Sequence, residues 1–415
     1  MSDSNMLINP LPAGWKNHRF GEVCDRVKDA YKPVDGGNTP YVGLEHLAQG
    51  FPAFVGRGTE SDIKSSKTAF KVGDILFGKL RPYLRKGAKA DFDGISSTDI
   101  LVFRAEEGCE SEFLQYLVHA DEFISHAKST TTGVQHPRTS WPSLKEFRLS
   151  LPPLPEQKKI AHILSTVQRA IEAQERIIQT TTELKKALMH KLFTEGLRGE
   201  PQKQTEIGPV PESWEVVELG DLLTLAQYGM SVKGNPDGNF PILRMTNQVD
   251  GQIVGRKLQY VEISDGDFEK FKVERGDILF NRTNSLDLVG RTAIFDIEGD
   301  FVFASYLIRL RSDANKLNPF FLNCYFNTDA VQARLKSIAT RAVSQSNISA
   351  TRLKGFPVPR PGLDEQDEVV VHVEVLDRKL AVHRGKLKQL LDLFRTLLHE
   401  LMTANTRVHE IESYP

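Results

Sequence analysis

The sequence predicts an α+β protein in which two similar mixed α/β globular domains are separated by two long helices, paired as an antiparallel coiled coil. The result is an internal repeat with pseudo-twofold character. Three observations carry the prediction. The chain repeats its own wording at a near-constant offset, its globular stretches have the period of short strands, and two stretches of about forty residues keep a heptad seam.

The repeat is visible directly. Phe147 to Gln157 reads FRLSLPPLPEQ and Phe356 to Gln366 reads FPVPRPGLDEQ, which places the Glu-Gln pairs 209 residues apart (157 to 366). Leu144-Lys145 maps onto Leu353-Lys354 at the same offset, and VGDILF at 72–77 answers RGDILF at 275–280 at a slightly smaller one. Loop insertions account for the difference. A chain of 415 residues also exceeds the ~250–300 at which single cores stop growing, so division is expected on size alone.

The elements follow in order. Residues 1–151 form a first globular domain, with strands at Asp74 to Phe77 and Ile100 to Phe103 and a helix over Ser111 to Ala127. Their β-branched, aromatic and alternating content supports the strands, and apolar residues at helical spacing support the helix. Residues 152–199 form the first long helix, and 200–358 the second globular domain, with strands at Asp277 to Phe280 and Phe301 to Arg311. In that domain Asn318-Pro319 reads as an N-cap followed by proline at the first helical position. Residues 359–405 form the second long helix, and 406–415 a tail.

Steps of four and three from Ile160 give Ile160, Leu164, Val167, Ile171, Gln174, Ile178, Thr181, Lys185, Leu188 and Leu192. The same steps from Val369 give Val369, Val373, Leu376, Leu380, His383, Leu387, Leu390, Phe394, Leu397 and Leu401. The sixteen apolar members make a seam long enough for two helices to pair, and forty residues at ~1.5 Å each make a rod of about 60 Å. Pro152-Pro153 and Pro357 to Pro361 keep each helix from running back into its domain. Gly385, inside the second helix, costs ~1 kcal/mol relative to alanine and reads as a tolerated solvent-facing position.

Fifty-three Lys and Arg against fifty-four Asp and Glu leave a net charge of −1, so any nucleic-acid footprint is local. Cys24, Cys109 and Cys324 are too few and too scattered for a disulfide framework or a CxxC-type zinc site, which fits the cytoplasm. Nothing in the sequence reads as a secretory leader or a membrane span.

Two short matches suggest methyl transfer: Phe54-Val55-Gly56-Arg57-Gly58 resembles a cofactor-approaching F-x-G-x-G loop, and Asn318-Pro319-Phe320-Phe321 an N-P-P-[FY] base-holding motif. Each lacks its context. The polar run Thr59 to Lys67 has no helix face, and the Asn-Pro pair is explained as a helix start. Asp74 and Asp277 suit turn caps before buried strands better than nuclease carboxylates. No catalytic, cofactor-binding or metal-binding residues are assigned, and a binding protein is expected.

A local basic stretch supplies the binding candidates. Between Lys64 and Lys89 stand eight Lys and Arg against the single acid Asp74, among them Lys79, Arg81, Arg85 and Lys86, with Tyr83 interleaved. Such a stretch neutralises phosphates. In the second repeat Asn247, Gln248, Asn281, Arg282 and Asn284 carry the amide and guanidinium groups that read adenine and guanine edges. Each proline-rich entry is preceded by a small, polar loop: TTTGVQHPRT, with Gln135, His136 and Arg138, and TRAVSQSNIS, with Arg341, Ser344, Gln345 and Asn347.

Together these segments resemble the specificity subunit of Type I restriction-modification systems over essentially the whole chain. The closest wording is Leu11-Pro12-Ala13-Gly14-Trp15, the run Gly73 to Leu84 (GDILFGKLRPYL), Ser96-Ser97-Thr98-Asp99, and Leu151 to Leu164 (LPPLPEQKKIAHIL). The second copy is looser, keeping Glu365-Gln366 without the following Ile-Ala. The resemblance implies that the globular domains are target-recognition domains, each reading one half of a bipartite, asymmetric DNA sequence. It implies that the paired helices set the spacer and dock two modification subunits. Restriction subunits complete the complex. It also implies no cofactor in this chain, with S-adenosylmethionine, ATP and Mg²⁺ in the partners. On this resemblance Lys79, Arg81 and Tyr83 hold phosphates or the fold rather than read bases.

Overall fold

The computed structural model describes residues 12–341 and 345–408. The chain divides into two compact units: residues 1–175 with 385–415, and residues 176–384. The divisions fall inside the two long helices, α1 (Leu154–Glu195) and α2 (Leu363–Met402).

In the first unit a four-stranded sheet runs in the order Cys24–Arg26, Ile100–Ala105, Ile75–Gly78, Gly87–Lys89. A five-stranded sheet built around Lys67–Phe70 and Gly94–Ser96 lies beside it in sequence. The buried aromatics Phe20, Phe77, Phe103, Phe113 and Phe123 form the core, and Ile160, Leu164 and Ile171 of α1 join it with Phe394, Leu398 and Leu401 of α2. Val167, Leu387, Leu390 and Leu397 pack at its edge. The segment expected as one helix over Ser111 to Ala127 is two, Ser111–Leu117 and Asp121–Ser129. The break has a physical cause: buried His119 meets the Gly87 carbonyl at 3.1 Å, and Asp121 and Glu122 favour a fresh helix N-terminus.

The second unit has a six-stranded sheet centred on Leu307–Ser312 and Ile278–Asn281, with Leu223–Tyr228 outside the former. The strand expected over Phe301 to Arg311 is split into Val302–Phe303 and Leu307–Ser312, which belong to different sheets. Its core takes Leu192 of α1 and Val369 and Val373 of α2, with Leu188 at the edge. Leu380 is buried, and Ile178 and Leu376 are half-buried. Seam position Lys185 is matched by an ion pair to Asp377 at 2.5 Å, and Thr181 is buried. In each unit the start of one helix shares a core with the end of the other, so the two run antiparallel.

Each unit closes at a neck of its own, built on the same plan. Lys16–Arg19 pairs antiparallel with Arg148–Leu151 in the first, and Glu215–Glu218 with Pro357–Arg360 in the second. Trp15 Nε1 donates to Glu156 at 3.1 Å and Trp214 Nε1 to Glu365 at 3.1 Å. The glutamines beside those acids are fully buried. Gln157 bonds Glu110 N and the Gly108 and Pro152 carbonyls, while Gln366 bonds Asn318 N and the Lys316 and Pro361 carbonyls. The repeated Glu-Gln wording is therefore a repeated helix anchor.

Candidate nucleic-acid interface

The two acids of the GDIL segments are structural. Asp74 accepts the Lys71 amide at 2.8 Å and takes a two-pronged contact from Arg104 at 2.7 Å; Asp277 accepts the Glu274 amide at 2.8 Å and the fork of Arg311 at 2.7 and 2.8 Å. Each closes a turn and ties it to the neighbouring strand. Gly56 and Gly58 lead into a strand pair and a short 3₁₀ turn, not a helix, and Asn318 caps the helix Pro319–Phe326 by accepting the Phe320 and Phe321 amides. Both methyltransferase-like matches are thus local fold features.

In each unit the structure brings together the strand extension and the polar loop that the sequence offered as separate candidates. In the first unit the chain runs on past Ile75–Gly78, and Arg81 N bonds Pro137 O at 2.8 Å while Thr139 N bonds Lys79 O at 3.0 Å. Lys79 N bonds Asp99 O at 2.9 Å. The loop is a short hairpin in which Thr132 and Arg138 exchange backbone hydrogen bonds, and its tip exposes Val134, Gln135 and His136. The second unit repeats the ladder: Thr283 and Asn284 pair with Asn347 and Ser346, Ile348 N bonds Arg282 O at 2.9 Å, and Arg282 N bonds Tyr306 O at 3.0 Å.

The furnishings differ. In the first cradle Arg138 donates Nε to Asp99 Oδ1 at 2.8 Å and Nη2 to Oδ2 at 3.3 Å. The Arg138 guanidinium holds the Asp99 carboxyl below the usual carboxylate range. Arg81 and Arg85 sit in left-handed backbone (φ 50° and 48°) on either side of the turn Pro82–Leu84, which leaves Tyr83 exposed. In the second cradle the Arg282 guanidinium lies 4.7 Å from the Tyr228 ring centre and its Nη1 reaches Ser305 O at 3.3 Å. Asn347 Nδ2 donates to Thr283 Oγ1 at 2.9 Å. Gln248 Oε1, Asn281 Oδ1 and Arg282 Nε are buried with no partner among the described residues.

Several candidates serve the fold. Asn247 is fully buried, accepting Arg244 N and donating to the Val254 and Arg256 carbonyls, so its amide is not available to a base. His46 takes the acceptor half of that part in the first repeat, accepting Gly43 N at 3.0 Å. Lys86 donates to Leu44 O, Arg85 to His119 O and Asp121, and Asn284 to Met245 Sδ; Gln248 donates to Leu279 O. Asn281 is buried in its strand. Gln345 is exposed. Ser344 lies outside the described residues, and of Arg341 only the backbone, paired with Ser346, is described. Tyr228 and Tyr306 were not singled out from sequence, and Asp99 entered only within the wording Ser96 to Asp99; the GDILF register (77 to 280) would set Asp99 against Val302, and it is the hydrogen-bond ladder that matches it with Tyr306.

Among the described residues no three His, Cys, Asp or Glu side chains converge as a metal site, and no helix is long and apolar enough to cross a membrane.

One backbone cradle, built twice and furnished twice with different side chains, defines a duplicated recognition protein. Residues 12–182 and 211–392 match the family described as Type I restriction modification DNA specificity domain, and the chain belongs to that family. It is 34% identical over 211 residues to the putative type I restriction enzyme MjaX specificity subunit of Methanocaldococcus jannaschii, so the chain spans about half (50%) of that relative and the match covers 50% of this chain. The MjaVIII specificity subunit of the same organism is 25% identical over 420 residues, covering 97% of this chain and 95% of the relative. The solved S subunit of the Type I restriction-modification system from M. genitalium shares the fold, with a TM-score of 0.59 at 17% identity over 95% of this chain and 97% of that one.

Proposed function

We propose that the chain is the DNA sequence-recognition subunit of a Type I restriction-modification complex. Each globular unit reads one half of a bipartite, asymmetric target on double-stranded DNA. The paired helices set the spacer and dock two modification subunits, and restriction subunits join the same complex. The chain performs no chemistry itself. S-adenosylmethionine, ATP and Mg²⁺ act in the partner subunits, and the complex works in the cytoplasm.

The observation that carries this reading is the duplicated cradle. An identical main-chain ladder in both units holds Lys79 and Arg138 in one and Arg282 and Asn347 in the other. Conserving a frame while changing the groups it presents suits two readers of different sequences. The near-neutral chain concentrates eight Lys and Arg against one acid between Lys64 and Lys89, and partners closing on the DNA supply further phosphate contacts.

The test is methylome sequencing of cells co-expressing the chain with its cognate modification subunit. A bipartite motif with a fixed non-specific spacer is expected. A continuous motif, or methylation that does not depend on this chain, overturns the assignment. Product formation by the purified chain alone with DNA, S-adenosylmethionine and Mg²⁺ would instead establish a self-sufficient enzyme.

A further inference from the structure

We propose that one equivalent position in the two units, Arg138 and Asn347, reads a single base in each half-site: a guanine in the first unit's half and an adenine in the second's. Asp99 acts as the positioning residue for Arg138. The inference rests on the two-reader assignment above and adds which side chain reads and what it reads.

The equivalence is fixed by backbone hydrogen bonds. Thr139 N to Lys79 O corresponds to Ile348 N to Arg282 O, and Lys79 N to Asp99 O corresponds to Arg282 N to Tyr306 O. The residue before each bonded amide is Arg138 in one unit and Asn347 in the other; the residue whose carbonyl is used is Asp99 in one and Tyr306 in the other. Leu80 pairs with Arg138 as Thr283 pairs with Asn347.

The geometry at Arg138 leaves one edge of the guanidinium open. Of its five N–H bonds, Asp99 engages the Nε and Nη2 edge, at 2.8 and 3.3 Å, and His136 O takes one Nη1 hydrogen at 3.4 Å. The two that remain, one on each terminal nitrogen, have no partner among the described residues, and a guanidinium can turn such a pair into a parallel fork off the end of its plane. That fork matches guanine O6 and N7 in the major groove. Arg138 retains 42% of its side-chain exposure, so the fork is reachable. An arginine held on one edge by a carboxylate loses little rotamer freedom when the other edge engages, which favours base reading over a mobile phosphate contact.

Asn347 is held in a parallel way. One Nδ2 hydrogen goes to Thr283 Oγ1 at 2.9 Å. Oδ1 and the second Nδ2 hydrogen remain, an acceptor beside a donor. That pair complements adenine N6–H and N7. With one Nδ2 hydrogen already on Thr283, a single N–H is left and the amide cannot make two donor bonds to guanine, so the two units are tuned to different bases at one shared position.

The test is methylome sequencing of Arg138→Lys, Asp99→Asn and Asn347→Ala, each co-expressed with the modification subunit, with target binding measured on duplexes differing at one base pair. Arg138→Lys keeps the charge and removes the fork. It is expected to relax a G·C requirement at one position of one half-site, reducing discrimination there by about 5- to 150-fold, with the other half-site intact. Asp99→Asn is expected to relax the same position and no other, an effect that a purely structural role would not confine to one base pair. Asn347→Ala should relax an A·T requirement at one position of the opposite half-site. Unchanged base preference in Arg138→Lys, weakening spread evenly along a half-site, or a first half-site without a guanine on either strand overturns the proposal while leaving two readers in place. Equal loss in both half-sites from a single substitution overturns the two-reader assignment itself.

Discussion

Replacing Gln366 by alanine tests the neck directly. Gln366 is fully buried, and all its side-chain bonds go to backbone: Asn318 N to Oε1 at 2.8 Å, and Nε2 to Pro361 O at 3.0 Å and Lys316 O at 3.1 Å. Truncation strands one N–H and two carbonyls in a closed space. At ~1–3 kcal/mol for each stranded group, reduced where a carbonyl accepts another bond or water enters, the net cost to the second unit is about 3 to 5 kcal/mol. With a urea slope of about 3 kcal/mol/M this lowers the midpoint by about 1 to 1.7 M. The assay is urea unfolding of the full chain followed by hydrogen exchange, which separates the two units; Gln157→Ala should place the same loss in the first. Gln366→Glu keeps the shape but sets a carboxylate oxygen against two carbonyls, so at pH 7 it should fare no better than alanine. A midpoint within about 0.3 M of the parent in both Gln366 variants would refute the reasoning.

Gly385 is exposed, and a Cβ there meets nothing within 4 Å, so Gly385→Ala should stabilise the chain by about 0.5 to 1 kcal/mol in chemical denaturation; a loss of stability would show that the glycine's conformation is required. Burial pushes the His119 imidazole down to about 4 against its usual 6.5, an effect that the bond to Gly87 O opposes and neighbouring Arg85 reinforces. Because the unfolded state takes up the proton first, the first unit should lose up to about 3 kcal/mol as pH falls from about 6.5 to about 4. His119→Gln should flatten that slope in urea titrations, and an unchanged slope would clear His119 of responsibility. Inserting one heptad into both long helices at matched seam positions should lengthen the recognised spacer by about three base pairs, from ~10 Å of helix at ~3.4 Å per pair, with both half-site sequences unchanged; methylome sequencing reads the outcome, and an unaltered spacer rejects the helices as its determinant.

Much of the architecture was legible because its signals are local or repeated. The seam from Ile160 to Leu192 and from Val369 to Leu401 needs only helical periodicity, and the sixteen apolar members all lie buried or half-buried. The Glu-Gln wording marked the repeat, though not its purpose, since the groups Gln157 holds at Gly108 and Glu110 lie far back in the chain. Strand Phe301 to Arg311 was too long because alternation continues through Ala304 to Tyr306, where the chain changes sheets. The binding segments were found by composition, yet composition does not tell a reader from a cap. Asn247 and Asn347 are both amides in polar stretches; one is enclosed by three backbone groups, and the other keeps half of its amide free. Asp99 was visible only as part of the Ser96 to Asp99 wording, because its role depends on a partner 39 residues away, at Arg138.

The way the units divide the chain has a consequence for synthesis. The second unit is continuous, from Arg176 to Arg384, whereas the first is completed only by residues from Gly385 onward. As the polypeptide leaves the ribosome, the unit begun first is finished last. At ~5–20 residues per second, about 10 to 40 s separate the appearance of Glu175 from that of Gly385. During that interval Ile160, Leu164 and Ile171 wait without Phe394, Leu398 and Leu401. Chains truncated after Arg384 and released from the ribosome should already protect the second unit from proteolysis while the first remains cleavable. A gene truncated by even the last helical turns would thus leave an N-terminal half that is fully translated yet never completed.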